Sequence, residues 1–343
     1  MHKEASPSSR VVELDALRGI AALAVVAFHY TTQYGQQYGH TTPLGFGFPP
    51  GNYGVNLFFL ISGFVIFMTL ERTRTAMDFV VSRFSRLFPA YWAAMVLTAI
   101  FVYLLGMPEQ RLSLRDLLLN LTMVQQILGG EHLDGSYWTL QVELFFYAQM
   151  LLWFALGQLK RIHVIILLWL GLAMGYGEVV QHRMHFSYLA RELLILRHIP
   201  FFALGILFYR LHTRPQENRL NYAMMGLCLV AIGVANPLVF LWVGLACCGI
   251  FLLFVNNLLA WLRGPFFVFL GSISYSLYLL HQAIGFALIH DLERRGVPSV
   301  LACLLTLAIV LTLASALTFV VERPAMRKIR SWWRTNGLQL KSA

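Results

Sequence analysis

The chain has 343 residues, of which 58% are hydrophobic and only 12% charged. A soluble domain carries about twice that share of charge, so the composition excludes an ordinary soluble enzyme and points to an all-α, polytopic membrane bundle. The net charge of +10 gives no case for a nucleic-acid partner, because in a membrane chain the position of basic residues matters more than their sum.

The first apolar run, Leu14–Tyr30, reads as a helix, yet it carries Asp15, Arg18 and His29. The eleven positions from Arg18 to His29 amount to about 20° of net rotation and a rise of about 16 Å, so the two side chains share a face. Asp15 lies three residues before Arg18, within pairing reach. Ionisable groups inside a spanning helix are costly and face a bundle interior or a wet cavity. Met1 to Val12 is short and polar, with no cleavage site following the apolar run, so a retained helix is expected rather than a signal peptide. Thr31 to Asn52 reads as an outer loop, with a lone His40.

Gly54 to Phe67 is the second apolar run. It holds Asn56, an amide able to donate or accept, and a Ser62-Gly63 step that permits close helix approach. The following inner segment contains Arg83 and Arg86, three apart and therefore neighbours on a helix. Two readings fit them: positive-inside anchoring, or a phosphate clamp, since guanidinium groups match phosphate geometry bidentately. Residues 107–137 are expected to form an outer region with a lateral or re-entrant helix.

That region ends in Asp134–Tyr147, where Tyr137 and Trp138 precede Glu143 in an aromatic-rich helix. A carboxyl at that depth needs a partner or stays protonated. Residues 179–198 mix histidines and arginines and predict an interfacial amphipathic helix. No zinc-ligand spacing appears around the four cysteines, so neither a structural metal nor a disulfide framework is expected. Near the end, Ser274, Tyr278 and His281 fall at i, i+4 and i+7, one polar stripe on one helix face.

Candidate spans run over 13–34, 54–71, 87–106, 138–158, 162–178, 199–212, 220–235, 237–261, 265–289 and 299–321, about ten at the usual length. With the amino terminus inside, most of the 26 basic residues fall in inner segments, among them Lys3, Arg10, Lys160, Arg161 and the tail from Arg323 to Lys341. That bias places both termini in the cytoplasm. The organisation expected is a cytoplasmic segment 1–12, a transmembrane domain 13–322 and a basic tail 323–343.

Six short patterns now stand in order: an LDxLRG opening with arginine, ten residues and histidine; Gly54–Phe67; the Arg83/Arg86 pair before Pro89; Trp138-Thr139-Leu140 ahead of Glu143; Ser274-Tyr275 through Tyr278 to His281; and a closing Val321–Pro324. In that order they resemble the acyltransferase-3 family of bacterial membrane acyltransferases. Two positions depart from its pattern: Asn56 stands where an aspartate is frequent, and Thr139 where a serine is. The resemblance implies transfer of an acyl group, acetyl first, from acyl-CoA to a sugar hydroxyl, in the bacterial cytoplasmic (inner) membrane. No permanently bound cofactor is implied; acetyl-CoA is the donor substrate, and a carbohydrate-containing acceptor and the lipid bilayer are the partners.

On that basis His29 is the expected base, with Glu143 as its charge partner. Arg83 and Arg86 are expected to hold CoA phosphates, with Arg18 along the donor path. Asp15, Asn56, Tyr137, Trp138, Ser274, Tyr278 and His281 are expected to line the substrate cavity. A histidine with an unperturbed pKa of about 6.5 takes and returns a proton near neutrality. Direct transfer and an acyl-histidine intermediate both fit. The rival classes are a proton-coupled transporter using the same groups as a relay and a non-catalytic part of a polysaccharide export assembly.

Overall fold

The computed structural model describes residues 7–106 and 108–336. Lys3 and Lys341, and with them most of segment 1–12 and the last residues of the basic tail, lie outside the described residues or have no described side chain. Among the described residues the structure is helical, without a strand. The first helices are α1 (Pro7–Phe28), α2 (Tyr34–Gln37), α3 (Gly54–Glu71), α4 (Ala76–Leu105) and α5 (Leu114–Asn120). Next come α6 (Trp138–Ala155), α7 (Ile162–Gln181), α8 (Tyr188–Leu193), α9 (Ile199–Thr213) and α10 (Asn218–Ala235). The last are α11 (Val239–Val255), α12 (Pro265–Leu280), α13 (Gln282–Arg294), α14 (Ser299–Ala316) and α15 (Arg323–Asn336).

Among the described residues, five helical segments are long and apolar enough to cross a membrane: Pro49–Glu71, Ala76–Leu105, Leu159–Gln181, Asn218–Ala235 and Ser299–Asn336. The pair α12 and α13 makes a sixth, bent by 72°. Two further apolar helices, Ile199–Thr213 and Val239–Val255, are shorter. Helices α1 and α6 have 22 and 18 residues, but their acidic, basic and amide side chains lower their apolarity. The run 179–198 is not one amphipathic helix: α7 ends at Gln181, and only Tyr188–Leu193 is helical before α9. Arg183, with φ of 54°, takes the left-handed conformation that ends a helix. In the region before α6 the described helices are a single turn at Pro108–Gln110 and the seven-residue α5, both too short to span.

By their contacts the helices group into two compact units. One takes in residues up to Leu14, Tyr53–Ala76 and Thr139–Gly264. Its centre is the crossing of α3 and α9. A Cβ on Gly63 would lie 2.0 Å from the Phe202 carbonyl oxygen, and one on Gly205 would lie 2.0 Å from that of Leu60. Only glycine allows this approach, as the Ser62-Gly63 step predicts. Phe146 and Phe59 stack on Phe202 at ring separations of 4.1 and 4.9 Å. Glu13, fully buried, pairs with Arg263 at 3.2 Å.

The other unit takes in Asp15–Asn52, Met77–Trp138 and the chain from Pro265 onward. Here α1 crosses α12 glycine on glycine: a Cβ on Gly19 would meet the Gly271 nitrogen at 2.6 Å, and one on Gly271 the Asp15 carbonyl oxygen at 2.4 Å. Two helices widen into π-helical turns in this unit, His29–Gln33 after α1 and Leu317–Glu322 after α14. Such turns occur disproportionately at functional sites. The expected span 265–289 is broken at His281. Side chains bond the backbone on both sides of the break, at a carbonyl that also accepts from the Gly285 N–H and at an N–H just beyond it. The Tyr30 hydroxyl donates to the His281 carbonyl oxygen at 2.9 Å, and the Ala283 N–H donates to Asp134 at 2.7 Å.

Candidate active site

His29 opens the first π-helical turn and is buried, 7% exposed. Its Nδ1 lies 2.8 Å from the Val25 carbonyl oxygen one turn back. A carbonyl only accepts, so this nitrogen carries the proton. The same logic fixes His281, whose Nδ1 lies 2.7 Å from the Tyr278 carbonyl oxygen. The Nε2 of His281 is then an acceptor, and it faces His29 Nδ1 at 3.3 Å. The two rings meet edge to face, 4.7 Å apart and 82° between planes. The remaining nitrogen of His29, Nε2, keeps a lone pair. The geometry thus selects the atom that can act as a base.

The carboxylate that acts electrostatically on His29 is Asp134, in the connection before α6. It is fully buried. It accepts from the Ser136 N–H at 2.8 Å, the Ser136 hydroxyl at 2.5 Å and the Ala283 N–H at 2.7 Å. Burial pushes its carboxyl above the ordinary aspartate value, and the bonds from Ser136 and Ala283 oppose that rise. The sequence reading passed over this residue, although Asp134-Gly135-Ser136 carries the signal of an Asx turn, an acidic side chain bonding the backbone two residues on. Gln282, at the start of α13, places its side chain beside His29.

Several predicted cavity residues gather around the same bend. Tyr278 donates its hydroxyl to the Ser136 carbonyl oxygen at 3.3 Å, with its ring 5.3 Å from His281. Tyr137, fully buried, donates to the Leu279 carbonyl oxygen at 3.3 Å. Ser274 is buried but bonds back to the Gly271 carbonyl oxygen at 2.8 Å, within its own helix. Trp138 begins α6. Asp15 and Arg18 pair at 3.1 Å, as their spacing predicts, with side chains 44% and 22% exposed.

A second polar cluster of this unit lies on α4, α12, the second π-helical turn and α15. Arg86 is ion-paired with Glu322, which is 1% exposed and also accepts from Ser276 at 2.9 Å. The Arg86 guanidinium stands 5.7 Å from the Tyr275 ring centre. Arg83 bonds the Ser82 hydroxyl at 3.2 Å and lies over Phe79. Arg330 of α15 donates to the Ser85 hydroxyl at 3.1 Å and to the Ser82 carbonyl oxygen at 3.2 Å. Glu322 and Arg330 were not assigned as site residues from sequence; the first stood only within the closing pattern, the second only as tail charge.

Glu143 and Asn56 belong to the first unit. The half-buried Glu143 carboxylate accepts from the Ser62 hydroxyl at 2.6 Å and from the Tyr147 hydroxyl at 2.5 Å. Ser62 is therefore more than a packing residue. Asn56 is 2% exposed, and its carbonyl oxygen has no hydrogen-bond partner among the described residues. The hydrogen bonds of Glu143 and those of His29 are made inside separate units.

The helices and this paired-histidine site are those of a multi-pass membrane protein, and residues 11–321 match the acyltransferase-3 family, described as an acyltransferase domain. The chain belongs to that family. Among curated relatives it is similar to protein 2 of the picA locus of Rhizobium radiobacter, 36% identical over 112 residues, which is 30% of this chain and 53% of the relative. It is also similar to acyltransferase MdmB of Streptomyces mycarofaciens, 31% identical over 176 residues, 47% of this chain and 43% of the relative. The chain thus spans about half the length of the curated relatives it matches, or less. No solved structure matches it.

Proposed function

We propose that the chain is an integral membrane O-acyltransferase that moves an acetyl group from acetyl-CoA to a hydroxyl of a sugar. The acceptor class is a surface polysaccharide, a lipid-linked glycan or a glycosylated small molecule. In this reading residues 13–322 cross the bacterial inner membrane about ten times, between a cytoplasmic lead 1–12 and a cytoplasmic basic tail 323–343. The observation that carries the proposal is the fixed tautomer of His29, with Nδ1 committed to Val25 and Nε2 left to accept.

Nε2 takes the proton of the acceptor hydroxyl as its oxygen attacks the thioester carbonyl. The tetrahedral intermediate collapses, the C–S bond breaks, and the departing thiolate receives that proton from the imidazolium. The products are an O-acyl ester and free CoA. The His281 lone pair, 3.3 Å from Nδ1, holds the ring in place through this cycle. Asp134 supplies the negative charge that favours the imidazolium, the service a carboxylate gives in hydrolytic triads. Glu143 is the second carboxylate of the reading, and full turnover in Glu143→Gln would remove it. Arg83 and Arg86 bind the phosphates of CoA at the inner face, and Arg18 lies along the donor path.

The test uses purified protein and its His29→Ala variant in lipid nanodiscs with acetyl-CoA. Free-thiol release is followed with and without a glycan extract. Acceptor-dependent release that disappears in the variant supports the proposal. Release that is the same in both proteins overturns the role of His29, and solute flux without thioester cleavage would replace the enzyme reading with a transporter.

A further inference from the structure

The basic residues of α15 are not scattered. Arg323, Arg327, Arg330 and Arg334 stand at i, i+4, i+7 and i+11, one face of a helix. The helix is fastened along the start of α4 at two levels. Trp333 donates its indole N–H to Asp78 at 2.8 Å, and Arg330 bonds Ser85 and Ser82. Asp78, Ser82 and Ser85 are themselves at i, i+4 and i+7 of α4. The docking brings two guanidinium groups onto one serine. Arg83 bonds the Ser82 side chain at 3.2 Å and Arg330 its carbonyl oxygen, also at 3.2 Å.

The charges in this cluster are not balanced in the same way. Arg86 has the buried carboxylate of Glu322. Arg330 is only partly exposed, and among the described residues no carboxylate lies within ion-pair distance of it. Its Nε and Nη2 go to neutral acceptors, and its Nη1 makes no hydrogen bond among the described residues. Arg83, Arg86 and Arg334 are close enough to repel it. Arg330 is thus held among like charges with only neutral acceptors of its own, an arrangement that an anion would relieve, and a guanidinium fork with one side open suits a phosphate oxygen.

We propose that Arg330 of α15 is a phosphate-binding residue, forming with Arg83 a two-helix guanidinium pair centred on Ser82. The inference rests on the reading of acyl-CoA as donor for one of its two possible sources of phosphate, the diphosphate or 3′-phosphate of CoA; the other source is the headgroup of an anionic lipid. The site assigned to donor phosphates thereby includes the carboxyl-terminal helix, and Arg86 serves it as the arginine that Glu322 neutralises and holds in place.

The experiment measures equilibrium binding of CoA and of 3′-dephospho-CoA to the full chain, to Arg330→Gln and to Arg327→Gln. Arg327 is exposed on the same helix, so its variant removes an equal charge without touching Ser82 or Ser85. Each protein is placed in nanodiscs of phosphatidylcholine alone and in nanodiscs containing phosphatidylglycerol. The expected result is a loss of CoA affinity of at least tenfold in Arg330→Gln in both membranes, and less than twofold in Arg327→Gln. A loss that shrinks with 3′-dephospho-CoA assigns Arg330 to the 3′-phosphate, and one that persists assigns it to the diphosphate. If Arg330→Gln binds CoA like the wild type, while only the wild type changes its unfolding midpoint with phosphatidylglycerol, the phosphate is a lipid headgroup and the donor assignment is overturned. Equal behaviour of Arg330→Gln and wild type in every arm overturns the site. Wild-type protein that binds no CoA in either membrane overturns instead the donor reading on which the inference draws.

Discussion

His29 begins one π-helical turn and Glu322 ends the other, and both side chains are buried, yet they are surrounded in opposite ways. Around His29 the partners are a backbone carbonyl, a second histidine, the Gln282 side chain and, through the bend at Ala283, one carboxylate. Around Glu322 they are a guanidinium and two hydroxyl-bearing side chains, Ser276 and Thr318. The first surrounding leaves one nitrogen with a lone pair and a ring that cannot rotate away from it. The second leaves the carboxylate fully committed. A widened turn pushes a side chain off the helix surface; what that side chain then does depends on whether its last polar atom is spent. His29 is placed to exchange a proton, and Glu322 to fix a charge.

The contrast is broken most directly at His29. His29→Ala is expected to lower acetyl transfer by roughly 10²–10⁴-fold, the range for loss of a positioned general base. Its unfolding midpoint should stay near that of the wild type, since the ring makes few committed bonds. A variant that transfers normally, or one that unfolds before it can be assayed, would place His29 in the same class as Glu322. At Glu322 the reverse is expected. Glu322→Gln leaves Arg86 beside a neutral group, and breaking a buried ion pair costs roughly 3–5 kcal/mol, with the lower end expected because Arg86 is 30% exposed. Denaturant unfolding in detergent measures it, and replacing both partners by methionine should recover most of the loss.

Asp134 sharpens the contrast from the side of the histidines. Asp134→Asn keeps the shape but turns one acceptor into an NH₂ group, leaving either the Ala283 or the Ser136 donor unmatched at about 1–3 kcal/mol. The bend carrying His281 then loosens. A fall in kcat of roughly tenfold or more is expected from such a loss, with the KM for acetyl-CoA unchanged. A shifted KM and normal kcat would instead attach Asp134 to the donor.

These residues also show how far the sequence could be read. Asp15 with Arg18 and the Ser62-Gly63 step were legible because each concerns neighbours on one helix, where spacing dictates geometry. His29 and His281 were both singled out, but their meeting was not, because nothing local records which of two distant segments will cross. The glycine pair Gly19 and Gly271 makes that crossing, and each glycine looks ordinary alone. The bend at His281 was invisible for a related reason. Leu280-His281-Gln282 contains no glycine or proline, and the hydrogen bonds that tolerate the break come from Tyr30 and Asp134, far away in sequence. α1 and α6 carry ionisable and amide groups, which lower the mean apolarity of each helix whether or not those groups are buried.

The smallest expected effect tests burial itself as the variable. Asp15–Arg18 and Glu322–Arg86 are both carboxylate–guanidinium pairs in the same unit. Asp15, however, is 44% exposed and Glu322 is 1% exposed. Solvent screens the first pair, and its two partners are one helical turn apart, so it is worth about 0–1 kcal/mol and less at high salt. The backbone of Asp15 does more than its side chain, since its carbonyl packs where a Cβ on Gly271 would fall. Asp15→Asn should therefore shift the unfolding free energy by under about 1 kcal/mol, with the shift shrinking as salt is raised, whereas the Glu322→Gln loss should be indifferent to salt. Equal losses in the two variants, or a salt-insensitive loss at Asp15, would mean that Asp15 faces a desolvated surface. The Asp15–Arg18 pair of α1 would then belong with the committed charges of Glu322 and not with the screened ones.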